Sequence, residues 1–194
     1  MKRKKNRYQL NGFTLIEAVV VLGLMTVILF IIYGTFLISH RAFSESDQRL
    51  ELIQNGRVFL DRISRELRQS VDIATPLPAI KNDPLLEPPN EIMFQDGHGL
   101  DDIQYLRYYL DSNTVKRQRI VYYFPAEPSI YVSWNTVDEF GNPPDYLVTE
   151  EKIIAEYLTD ILYYGAGLIN IEIYLEKYDS ILHLFTAVWG RNES

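Results

Sequence analysis

Apolar and polar positions divide this chain into stretches with different periods. From Phe13 to Ile38 nearly every position is apolar, and no face is left for water. A bilayer core of ~30 Å needs about 20 such residues in a helix, so the run is long enough to cross a membrane. Beyond it, Phe43, Leu50, Ile53, Leu60, Ile63, Leu67 and Val71 recur at steps built from three and four, which draws one stripe along a helix. Glu45, Asp47, Arg49, Glu51, Asp61, Arg62, Arg65 and Arg68 fill the other faces, so one helix is predicted over 13–70. Gly34 and Gly56 lie in its path, and each weakens a helix by up to about 1 kcal/mol relative to alanine. Gly34 reads either as a place where the helix bends or as a close packing contact.

The period then changes. Pro76, Pro78, Pro84, Pro88 and Pro89 forbid a regular element over 74–90, which reads as a loop. A short strand is expected at 92–94, followed by the turn Asp96-Gly97-His98-Gly99-Leu100-Asp101-Asp102. Residues 103–110 and 118–124 form a plausible hairpin across Asp111-Ser112-Asn113-Thr114. Residues 129–136 suit a strand or an extended edge, and Phe140-Gly141-Asn142-Pro143-Pro144 an exposed loop. A short helix is expected at 150–157, a strand at 161–164, and a strand pair at 168–175 and 181–188. One long helix followed by antiparallel strands defines an α+β class, with the helix laid across a sheet.

Charge adds a direction. Lys2, Arg3, Lys4, Lys5 and Arg7 precede the apolar run, and all 26 acids lie after residue 12. The rest of the chain therefore holds 14 bases against 26 acids, a formal charge of about −12. Positive charge before a spanning helix keeps the amino end cytoplasmic, so the body is expected outside the membrane. An acidic body repels nucleic acid, which makes direct binding of it a poor expectation. There is no cysteine, so an exported core must be held by packing alone. Fourteen Tyr and nine Phe suit a strand-rich core.

Glu17 stands out within the apolar run. An ionisable group at membrane depth costs roughly 2.5–3.5 kcal/mol on insertion scales and is a functional candidate by default. Preceded by the basic leader, Gly12-Phe13-Thr14-Leu15-Ile16-Glu17 and the apolar run resemble the signal of type IV prepilins and type II secretion pseudopilins. That resemblance implies cleavage after Gly12 by a prepilin peptidase, N-methylation of Phe13, and assembly through Glu17 and Thr14 against the amine of a neighbouring subunit. It implies a pilin fold: a leader at 1–12, a membrane half of the helix at 13–40, an amphipathic half at 41–71 and a β-rich head at 72–194. The partners implied are other pilin or pseudopilin subunits, the inner-membrane assembly platform and lipid, with the protein in the cytoplasmic (inner) membrane. The segment from Phe59-Leu60-Asp61-Arg62 to Glu66-Leu67-Arg68, Tyr108-Tyr109-Leu110 and Ile153-Ile154-Ala155-Glu156 is similar to J-type minor pseudopilins and PilW-like minor pilins. K-type subunits, which resemblance places at the tip, typically lack the glutamate, so a position below or beside another subunit is implied.

The same residues also describe an ordinary membrane anchor. A secretory signal has a shorter apolar core followed by a small-residue cleavage site, which this chain lacks; a single-pass anchor carrying an exported binding domain remains the alternative. No catalytic constellation is visible, so an enzyme is not expected. His40, His98 and His183 are scattered, without zinc-type spacing, and no cofactor is expected. Asp96, Asp101 and Asp102 are weak candidates for a hard cation such as Ca²⁺, although their spacing is not that of an EF-hand. Gly165-Ala166-Gly167 reads as a turn. Arg62, Arg65 and Arg68 form a basic patch whose expected partners are acids of the domain or of a neighbouring subunit.

Overall fold

The computed structural model describes residues 14–98 and 103–190. The described chain is α+β: one helix, α1 (Leu15–Leu67), then eight strands in two antiparallel sheets. It divides into two compact units, Met1–Ser46 and Asp47–Ser194. In the first, α1 is apolar on every side from Ala18 to Ile38, and its most apolar window is wholly exposed, long enough to cross a membrane. Thr26 and Thr35 do not break it, because their hydroxyls donate back to the carbonyls of Leu22 and Ile31, each at 2.8 Å. Among the described residues nothing lies within 4 Å of where a Cβ on Gly34 would stand, so no packing contact among them explains that glycine.

In the second unit α1 buries Leu52, Gly56, Phe59, Leu60, Ile63 and Leu67. The expected stripe is thus corrected: Phe43, Leu50 and Val71 are exposed, while Leu52 and Phe59 belong to the core. Gly56 lets the helix approach the sheet, since a Cβ there would stand 2.5 Å from Leu184 Cδ1. The helix closes at Ser70, whose amide and hydroxyl both donate to the Leu67 carbonyl. Gly97 passes the same end so closely that a Cβ would fall 1.8 Å from the Gln69 carbonyl oxygen, and only glycine fits.

The first sheet holds β1 (Glu91–Gln95), β2 (Tyr105–Asp111), β3 (Thr114–Tyr123), β4 (Tyr131–Val132) and β5 (Asp145–Glu156). β2 and β3 form a hairpin turning at Ser112 and Asn113, with Ser112 at φ 57°. β3 starts at Thr114, four residues before the expected 118. β5 pairs antiparallel along all of β3, with bulges at Val115/Lys116 and Arg119/Ile120. The short helix expected at 150–157 is therefore a strand. Glu, Lys and Ala favour a helix there, but β3 offers Lys116, Arg117 and Arg119 to the acids of β5, with Arg119 opposite Glu150 and Gln118 opposite Glu151. The second sheet is β6 (Leu158–Tyr164), β7 (Leu168–Lys177) and β8 (Ser180–Trp189), in that order. The single sheet expected from sequence is two. One core joins them, with Leu52, Phe59, Ile63 and Leu67 of α1 against Phe94, Leu106 and Tyr108 of the first sheet and Ile161, Tyr163, Ile171 and Ile173 of the second.

Candidate functional site

The amino end of α1 is built from two residues that serve each other. The Glu17 amide donates to Thr14 Oγ1 at 3.3 Å, and the Thr14 amide donates to Glu17 Oε2 at 3.5 Å. This is the reciprocal capping box of a Thr-x-x-Glu sequence, in which each side chain takes an amide the first turn leaves unpaired. The negative carboxylate also faces the positive end of the helix dipole. Glu17 thus has a structural role the apolar pattern hid, although Thr14-Leu15-Ile16-Glu17 announces it. Both residues are exposed. Gly12 and Phe13 lie outside the described residues.

Several charged groups of the second unit pair within it. Arg117, 4% exposed, donates from Nε to Glu66 Oε2 at 3.0 Å and from Nη1 to Glu150 Oε2 at 3.1 Å. Tyr108 donates to the same Glu66 oxygen at 2.6 Å, and Arg62 reaches Glu66 Oε1 at 3.4 Å. Burial, and then the Glu66 charge, push the Tyr108 hydroxyl well above its ordinary range. The guanidinium of Arg117 loses hydration by burial, but Glu66 chiefly, with Tyr108 and Glu150, outweighs that loss and raises its pKa. Of the expected basic patch, Arg62 meets an acid of its own domain as anticipated.

A second cluster gathers on the outer face of the second sheet. Glu172, 7% exposed, accepts from Lys81 Nζ at 2.5 Å, from Tyr164 Oη at 2.6 Å and from Tyr174 Oη at 3.1 Å. His183 Nε2 stands 3.3 Å from the same carboxylate, and its ring stacks on Tyr174 at 4.5 Å. Burial alone would raise the carboxyl; the hydrogen bonds from Lys81 and the two tyrosines outweigh it and lower its pKa to about 2. Lys81 is raised in return, chiefly by its bond to Glu172. The pair ties the proline-rich loop to the sheet. It holds no unpaired base and no nucleophile beside one. Lys177 makes a third tie, bonding Glu51 of α1 and the Tyr157 hydroxyl. Tyr174 is two residues from Glu172 on the same strand, but 91 residues separate Lys81 from Glu172 and 126 separate Lys177 from Glu51, so no local pattern exposes the lysines.

The cation candidates separate. Asp96 Oδ1 accepts from the amide of His98 at 3.1 Å and faces its Nδ1 at 2.6 Å, while Asp101 and Asp102 lie outside the described residues. Among the described residues no group of three or more His, Asp or Glu side chains is arranged to hold a metal. No protein-family model matches the chain, and no curated protein matches it.

Proposed function

We propose that this protein is a minor pilin-like or pseudopilin-like structural subunit of the pilin fold, processed at Gly12–Phe13 and assembled through the amino end of α1. The observation that carries the reading is Glu17: a carboxylate at the start of a helix whose next turns, from Ala18 to Ile38, are almost wholly apolar on every side. Lipid or neighbouring apolar helices are the surroundings that suit such a surface, and in them an ionised carboxylate requires a cation. Cleavage after Gly12 would create that cation, the protonated amine of Phe13, and the amine of an adjacent subunit is the one that would meet Glu17 on assembly. Its partners would be a prepilin peptidase, other subunits and the assembly platform of the inner membrane. A second reading, an ordinary single-pass anchor, is favoured by the Thr14–Glu17 capping box, which gives Glu17 a purpose without assembly.

Two measurements separate these readings. Co-expression with an active prepilin peptidase, followed by intact mass and amino-terminal sequencing, should yield a chain beginning at Phe13, and methylation would add one methyl group. A chain still beginning at Met1, beside a control substrate that is cut, would leave the anchor. Glu17→Gln then tests the carboxylate itself. Glutamine satisfies a capping box as glutamate does, so the anchor reading expects no change, whereas the assembly reading expects normal cleavage and loss of incorporation into filaments.

A further inference from the structure

Every sheet edge presents unpaired amides and carbonyls that another chain could adopt, and folds normally block them. In the second unit three edges are blocked. The outer edge of β1 is taken by the segment after α1, with Val71 donating to Gln95, Gln95 to Asp72 and Ala74 to Met93. The outer edge of β6 is covered where Tyr163 donates to Pro89, Gly165 to Pro78 and Leu158 to Asn113. β5 is bulged and carries Asp145, Glu150, Glu151, Lys152 and Glu156. β8 has none of these devices. Among the described residues its outer edge pairs with no strand, and its ten residues include no proline, lysine, arginine or acid. Instead it exposes Ile181, Phe185 and Trp189 at 75, 55 and 63%.

We propose that the open edge of β8 is a self-association surface that pairs antiparallel with β8 of a second copy of this chain, about a two-fold axis at Phe185. The occupant follows from the spacing. Ile181 and Trp189 stand four residues either side of Phe185, so in that register Phe185 meets Phe185, Ile181 meets Trp189 and His183 meets Ala187 on the exposed face. Leu182 meets Val188 and Leu184 meets Thr186 on the other. Apolar groups oppose apolar groups on both faces, and no like charges are opposed. The two acidic bodies repel at long range, so pairing is weak at low salt and strengthens as salt screens them.

The chain has no cysteine, which makes the register directly readable in full-length protein in detergent. Opposed residues of an antiparallel pair have Cα atoms roughly 4.5–5.5 Å apart, within disulfide reach. Under mild oxidation Phe185→Cys should form a disulfide dimer. Ile181→Cys and Trp189→Cys should cross-link only when mixed, and Ile153→Cys on β5 should stay monomeric. Phe185→Lys should abolish a salt-strengthened, concentration-dependent dimer of the native chain while leaving its melting temperature unchanged. Monomeric Phe185→Cys, equal cross-linking at Ile153, or capture of a different protein at Phe185 in membranes would each overturn the proposal.

Discussion

The two units divide a single helix, and the two parts of α1 solve opposite problems. From Ala18 to Ile38 the helix shows apolar side chains in every direction, with Phe30 72% exposed. Its threonines satisfy themselves on the helix's own carbonyls. From Asp47 onward only one stripe is apolar, Phe59 is fully buried, and the polar groups find partners far away in sequence, such as Lys177 for Glu51 and Arg117 for Glu66. The difference shows which part of the helix the protein completes by itself. The second part brings its own apolar environment, namely the two sheets. The first must take that environment from lipid or from other chains.

Truncating one phenylalanine in each part gives the sharpest test of this division. Phe59→Ala should destabilise the second unit by about 3–5 kcal/mol, through lost burial and a cavity between Tyr108 and the helix. Phe30→Ala should leave thermal unfolding of that unit unchanged. Circular dichroism melts of both variants in the same detergent decide it. Equal losses would mean that the first part of the helix is packed by this chain after all, and the comparison would break.

Legibility in the sequence follows the same line. The apolar run needed only a count, because helix and membrane impose one period and one length, and α1 was foreseen to within a few residues at each end. The amphipathic part was harder. Phe59 and Leu60 are adjacent and both buried, and the stripe centres on Leu52 and Gly56, so a reading that follows large apolar residues was drawn toward Leu50 and Val71. β7 and β8 were visible because burial alternates along them. β5 was misread because its solvent-facing residues are good helix formers, and its strand character comes from the basic edge of β3. The Thr14–Glu17 cap is legible as a Thr-x-x-Glu sequence ahead of an apolar run. Of the Glu172 cluster only Tyr174, two residues along the same strand, is legible; Lys81 and Tyr164 meet the carboxylate through the fold.

That cluster sharpens the comparison for polar groups. Because Lys81 and the tyrosines depress the Glu172 carboxyl from 4.5 to about 2, the folded protein binds fewer protons than the unfolded chain between those values. The resulting stability is present in full above the unfolded value and is lost as pH falls through the folded one. Glu172→Gln should therefore lower stability at neutral pH and flatten its dependence on pH between about 4.5 and 2, as read by urea unfolding at several pH values. A variant that keeps the slope of the native protein would assign the acid sensitivity to other carboxylates.

The smallest effect concerns an exception. Burial is matched by hydrogen bonding at Tyr108, Arg117 and Glu172, yet the hydroxyl of Tyr163, which is fully buried in β6, meets no protein partner. Its ring fills the core shared by both sheets, and burial drives its ionisation far above the ordinary range. A buried hydroxyl without a partner costs roughly 1–3 kcal/mol in desolvation, whereas the ring is worth keeping. Tyr163→Phe retains the ring and removes the penalty, so it should hold or raise stability by up to about 1 kcal/mol in urea unfolding. Tyr108→Phe, which removes a donor from the buried Glu66 carboxylate, should do the opposite. If Tyr163→Phe instead destabilises the protein as much as Tyr108→Phe does, the Tyr163 hydroxyl has a partner in solution, and the core between the two sheets completes this polar group as fully as its apolar ones.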